Sequence, residues 1–183
     1  MSRRAIRNAI ESRSATFGRS LSCVSPIQPQ IVYPIRLEPG VTIALAFGHP
    51  VALPLRRSSR PIFLTAFESI QIERHDPKSS HVVASIARYA YRISFGSDRS
   101  DEVFSFHRDG PGDMTQGGVS YPHLHLGRLL HLQGPQAAQF DIHRLHVPTS
   151  AVSLTTVIRF LIEELGVEPI RSNWDEILAN VLD

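Results

Sequence analysis

Hydrophobic and polar positions change period twice along this chain. Residues 1–30 carry scattered apolar positions among arginines and serines. From Ile31 the apolar residues come in short, β-branched-rich runs: Ile31–Leu37, Val41–Phe47 and Val51–Leu55. Glu38-Pro39-Gly40 and Gly48-His49-Pro50 separate them with turn chemistry, so the spacing predicts a small antiparallel meander. Pro34 and Pro54 lie inside runs, where a proline marks an edge strand or a bulge. Pro61–His75 contains Phe63, Leu64, Phe67, Ile70 and Ile72, and its period leaves a strand and a bent hairpin both open. Residues 88–107 read as a hairpin about the polar turn at 96–101, with Phe104 and Phe106 on one face and Val103, Ser105 and His107 on the other. A glycine-rich loop, Asp109–Gly118, is too long for a tight turn and suits a segment lying over a site.

Tyr121-Pro122-His123-Leu124-His125-Leu126-Gly127 then alternates residue by residue. In a strand, Tyr121, His123 and His125 share one face, and Leu124 and Leu126 the other. Gln139–Val147 resumes strand character, with Asp141 and His143 on one side and a bulge expected near residues 143–144. After Pro148 the period becomes helical. Leu154, Val157, Ile158, Leu161, Ile162 and Leu165 form one stripe, with Ser153 as N-cap and Gly166 as the stop. A second short helix is expected over residues 173–182, with Ser172 and Asp175 resembling a capping box. The fold class that follows is α+β: a curved antiparallel β-sheet of about six to eight strands with two C-terminal helices packed on one face. Residues 31–183 form a single α+β domain. A short helix through Arg3–Ser12 is open, and residues 1–30 as a whole read as a flexible basic N-terminal arm, or as a stretch ahead of the true start.

Composition narrows the class without naming a function. The chain has 183 residues, 42% hydrophobic and 20% charged, which is ordinary for a globular protein. No apolar run approaches the ~18 residues of a membrane span, and the single cysteine, Cys23, cannot form an intrachain disulfide, so nothing points to an oxidising compartment. A cytoplasmic protein without a membrane partner is expected. Net charge is +2, but residues 151–183 set two arginines against six acids, leaving the rest of the chain at +6. A basic body is compatible with a polyanion such as RNA.

Six of the nine histidines fall between positions 107 and 146. With strands paired in sequence order, His107, His123, His125, Asp141 and His143 share the face opposite the aliphatic one; a one-residue slip would scatter them. Two chemistries fit. In metal-free acid–base catalysis, His123, His125, His143 and Tyr121 are the catalytic groups. Arg144 or Arg92 steadies the charge of a phosphodiester under attack, and His107 and Asp141 complete substrate binding. This needs no cofactor. In the alternative, His123 and His125 ligate a divalent transition metal with a third ligand from His143, Asp141 or His107. The spacing from Gly117 to His123 and His125 invites comparison with cupins, but no glutamate follows at the required distance. Gly127 stands where a histidine triad needs its third histidine. A non-catalytic module pairing through a sheet edge is the third class, and a homo-oligomer is compatible with it. Lone histidines such as His131 and His146 read as solvated or structural.

Tyr121–Leu126 and His146-Val147-Pro148-Thr149, running into Ser153-Leu154 and residues 162–169, resemble a small uncharacterised bacterial family with a Pro-His-x-His-x-Gly motif. The hairpin from Tyr91 to His107 followed by that strand is distantly similar to the TumE-type toxins of toxin–antitoxin systems. The resemblance spans residues 88–178 and implies a ribonuclease-like toxin, with RNA as substrate and a cognate antitoxin as partner. By motif match only His123 and His125 carry over. The chain departs from the pattern in its additional N-terminal half.

Overall fold

The computed structural model describes residues 3–27, 30–32, 42–46, 49–74, 82–97, 101–110, 119, 121–127 and 145–181. Helix α1 (Arg3–Leu21) comes first. Among the described residues eight strands follow: β1 (Gln30–Val32), β2 (Thr42–Ala46), β3 (Val51–Leu55), β4 (Ser58–Arg74), β5 (Val82–Ser94), β6 (Glu102–Arg108), β7 (His123–Leu126) and β8 (His146–Pro148). Helices α2 (Leu154–Glu163) and α3 (Trp174–Ala179) close the chain. All eight strands join one sheet in the order β1-β2-β4-β5-β6-β7-β8, with β3 paired to β4 off that path. Every pairing is antiparallel. The α+β class follows directly.

Residues 61–74 of the stretch left open by its period belong to β4, a single strand of 17 residues, and His75 lies outside the described residues. At about 3.3 Å per residue such a strand runs on the order of 55 Å, more than any five-residue neighbour can cover. Two short strands therefore share one of its edges. β3 pairs with residues 58–64 and β2 with residues 67–71. The expected meander holds for β1 and β2, which pair antiparallel, and breaks at β3, which lies after β2 along the same edge of β4. Pro54 falls where the β3–β4 register shifts, and its carbonyl accepts the Glu168 N–H, so the residue that cannot donate still has a partner.

The core lies on the face carrying Ile62, Leu64, Ala66, Ile70 and Ile72 of β4 and Tyr89, Tyr91 and Ile93 of β5, all buried. Helix α1 lies against this face. Ile6, Ile10, Phe17 and Leu21 are buried along one stripe, and the Arg13 guanidinium forks onto the Glu68 carboxylate with two 3.0 Å bonds. Glu68 is completely buried and also accepts the Tyr91 hydroxyl at 2.6 Å. The flexible arm expected for residues 1–30 is corrected accordingly: Arg4 and Arg7 face solvent while the opposite side of the helix is core. The stripe contains few apolar residues and an arginine, so its amphipathicity shows only once Glu68 is there to meet Arg13.

Helix α2 reaches the same face through Phe160, whose ring meets Phe104 and Phe106 edge-on. Ser153 caps it by accepting the Thr156 N–H at 3.1 Å, and Gly166 takes φ 73°, as a helix stop requires. Ser20 and Thr155 join α1 to α2 through their hydroxyls. Helix α3 contacts α1 and α2 and buries Leu178. The capping box expected at Ser172 does not form: Asn173 occupies the N-cap and makes no side-chain cap bond. Among the described residues no helix is long and apolar enough to cross a membrane.

Candidate metal centre on the histidine face

The register of β5 to β8 builds the site. Arg92 lies opposite Ser105, Ser105 opposite His125, and His125 opposite His146. One pleat further, Ala90, His107, His123 and Pro148 form a parallel row. Directly paired residues project to the same face, so four histidines from three strands meet there. Their ring centroids lie 4.3 Å apart for His125 and His146, and 4.8 Å apart for His107 and His125, His123 and His125, and His123 and His146. The register is held from behind. Leu124 and Leu126 pair with Phe106 and Phe104, whose rings pack on Phe160, so a slip of one residue would drive imidazoles into the core.

Hydrogen bonds fix the orientation of two of the rings. His123 is fully buried, and its Nδ1 lies 2.9 Å from the Tyr121 carbonyl. A carbonyl only accepts, so Nδ1 carries the proton and Nε2 presents a lone pair. That Nε2 faces the Nε2 of His125 at 3.0 Å. Two nitrogens bound at ~2.1 Å to one metal with a right angle between them are also about 3.0 Å apart. His107 is oriented from the other side. Its Nε2 lies 2.8 Å from the Ser105 hydroxyl, and that hydroxyl donates to Glu102 Oε1 at 2.6 Å. Ser105 therefore accepts from His107 Nε2–H, which leaves His107 Nδ1 as its lone-pair atom. Arg92 Nε donates to the other Glu102 oxygen at 2.5 Å.

Glu102 reaches this face because of a bulge. Ile93 pairs with Phe104 but Ser94 pairs with Glu102, so Val103 is an extra residue in β6. The extra residue breaks the alternation and turns Glu102 to the histidine side. One donor nitrogen each from His107, His123 and His125 lies within 4.8 Å of the others. A filled coordination sphere holds neighbours at roughly 3.0–3.4 Å, so an ion at the centre would draw His107 inward. Burial, followed by neighbouring His125, lowers the pKa of His107 to about 4, against the partial opposition of Glu102. Burial, then His146 and His123, lowers that of His125 as well. Both rings are neutral at pH 7, the form a metal takes.

No family model, curated protein or solved structure matches the chain. The geometry alone therefore carries the functional reading.

The expected site is partly brought together. His107, His123 and His125 converge, and Arg92 joins them through Glu102. Tyr121 is exposed, with its ring nearly perpendicular to that of His123 and its backbone carbonyl in contact with the imidazole. Asp141, His143 and Arg144 lie outside the described residues. Three contributors escaped sequence reasoning: His146, which read as a lone histidine, and the pair Ser105 and Glu102. The only signal for His146 was its alternation with Val147 and Pro148. Glu102 gave none, because alternation puts it with the phenylalanines.

Proposed function

We propose that this chain is a metal-dependent enzyme in which His107, His123 and His125 hold one divalent transition ion. The observation that carries the reading is the convergence of three imidazoles, two of them turned by partners that fix which nitrogen is bare. Three neutral nitrogen ligands suit Zn²⁺ and its first-row neighbours and leave coordination positions for water and substrate. The Tyr121 carbonyl and the Ser105–Glu102–Arg92 chain are the outer partners such ligands use. The chemistry such an ion supplies is Lewis-acid activation of bound water or of a substrate oxygen. Elemental analysis of freshly purified protein tests this. About one equivalent of transition metal, lost in His123→Ala, is expected; less than about a tenth of an equivalent after metal supplementation overturns it.

A metal-free ribonuclease toxin, neutralised by an antitoxin, is the second reading. The arginines beside His107 favour it, since they suit a phosphodiester. The cluster serves it less well. An acid and a base must flank the scissile bond, whereas these nitrogens are 3.0 Å apart and His123 is fully buried. RNA cleavage that persists in excess chelator, together with growth arrest on expression, selects this reading over the first.

A further inference from the structure

A recess of about 340 Å³ opens beside the histidine cluster. Its inner wall is His107 and Arg92, its floor includes Phe67 and Ala90, and Thr65 adds a hydroxyl. Arg88 and Arg108 also line it. The volume lies in the range of small-molecule sites. Among the described residues its lining holds three arginines and one acid, Asp109, and an Asp109 oxygen already accepts the Val119 N–H. Glu102 balances Arg92 through its Nε and leaves the two terminal nitrogens of that guanidinium as further donors. The Arg88 guanidinium lies over the Phe67 ring at 5.4 Å, which holds a planar cation against an apolar floor.

We propose that this recess binds a small organic anion, a carboxylate or a phosphate monoester, and presents it as substrate to the histidine centre; the second half of the proposal rests on the metal-enzyme reading above. Guanidinium groups recognise both oxyanions with paired, charge-assisted hydrogen bonds, and neutral analogues lack that partner. His107 belongs both to the recess wall and to the candidate ligand set, so an anion held there has its head group next to the ion. The apolar floor accepts the remainder of the molecule.

Calorimetric titration of the full chain, metal-free and Co²⁺-loaded, with benzoate, phenyl phosphate and benzyl alcohol tests the proposal. Benzoate or phenyl phosphate is expected to bind, whichever binds more tightly naming the head group, and benzyl alcohol is not. Arg88→Gln, a change at an exposed side chain, should weaken anion binding about tenfold or more, while Arg171→Gln, in the segment after α2, leaves it unchanged. The visible spectrum of the Co²⁺ protein should shift as the anion binds. Absence of anion binding by a protein that takes up Co²⁺ stoichiometrically overturns the recess and leaves the metal reading standing. Anion binding with an unchanged Co²⁺ spectrum overturns its placement beside the ion. Arg88-dependent anion binding by a protein that takes up no Co²⁺ upholds the anion site while the metal reading falls.

Discussion

His123 Nε2 and His125 Nε2 face each other across 3.0 Å, although their residues stand two apart on one strand and their rings have different supports. His123 is held by the Tyr121 carbonyl, and His125 lies between His107 and His146. Without an ion, one imidazole N–H must point at the other ring's lone pair. With one, both lone pairs would turn to the same centre. On the proposed metal reading the outer partners set its affinity. Glu102→Gln keeps the size of the side chain and removes the charge that orients Ser105 and Arg92. It should weaken Zn²⁺ binding about 10–100-fold in a competition assay with a chromophoric chelator. An affinity equal to wild type would remove Glu102 from the site.

The lowered pKa of His107 and His125 makes stability depend on pH. In the unfolded chain a histidine titrates near 6.5; in the fold His107 titrates near 4. Between those values the unfolded state binds more protons, so stability is complete above about pH 6.5 and falls as pH drops toward 4. The slope is at most about 1.4 kcal/mol per pH unit for each such histidine. Urea midpoints of metal-free protein across this range measure it, and His107→Gln should flatten the curve.

Gly127 ends β7 against the bulge of β6. Its N–H donates to the Val103 carbonyl at 2.7 Å, and a Cβ there would collide with the backbone of Glu102 and Val103. Backbone cannot swing aside as a side chain can. Gly127→Ala should cost at least about 2 kcal/mol and displace Glu102, so thermal melting and metal affinity should both suffer. A variant with unchanged melting would show that β7 tolerates the methyl group.

Helix α1 is held by a buried charge pair. Arg13→Ala leaves the Glu68 carboxylate, fully buried, with the Tyr91 hydroxyl but without its cation. The expected loss is about 3–5 kcal/mol, because an uncompensated buried charge costs more than the pair contributes. Arg13→Ala combined with Glu68→Gln should recover a substantial part of it. Denaturant titration of the three proteins decides whether α1 is part of the domain's cooperative unit.

Cys23 is fully buried just beyond α1, where its thiol lies 3.9 Å from the Arg19 carbonyl and 3.8 Å from that of Trp174. Burial raises its pKa, with partial opposition from Arg171. The native protein should therefore resist a thiol reagent at pH 8 and react fully in denaturant. Rapid labelling of the native protein would show that the α1–α3 packing opens.

Much of the architecture was legible in the residues themselves. The 88–107 hairpin follows from alternation about a polar turn, and α2 from a stripe with Ser153 and Gly166 at its ends. Both depend on interactions within a few residues, which the chain order encodes directly. The convergence of His107, His123 and His125 was also legible, because sequential antiparallel pairing carries one face across neighbouring strands.

Other features required distant segments to meet. Helix α1 looks like a basic arm until Glu68, 55 residues on, receives Arg13. The division of β4 between β2 and β3 depends on strand length against sheet edge, which no local pattern specifies. Glu102 comes to the site through one extra residue in β6, an event that reverses side-chain direction and leaves composition unchanged. Alternation by itself determined which histidines could share a face; strand register, the Val103 bulge and the Phe160 backing decided which side chains surround them, since each is set by packing between elements far apart in the chain.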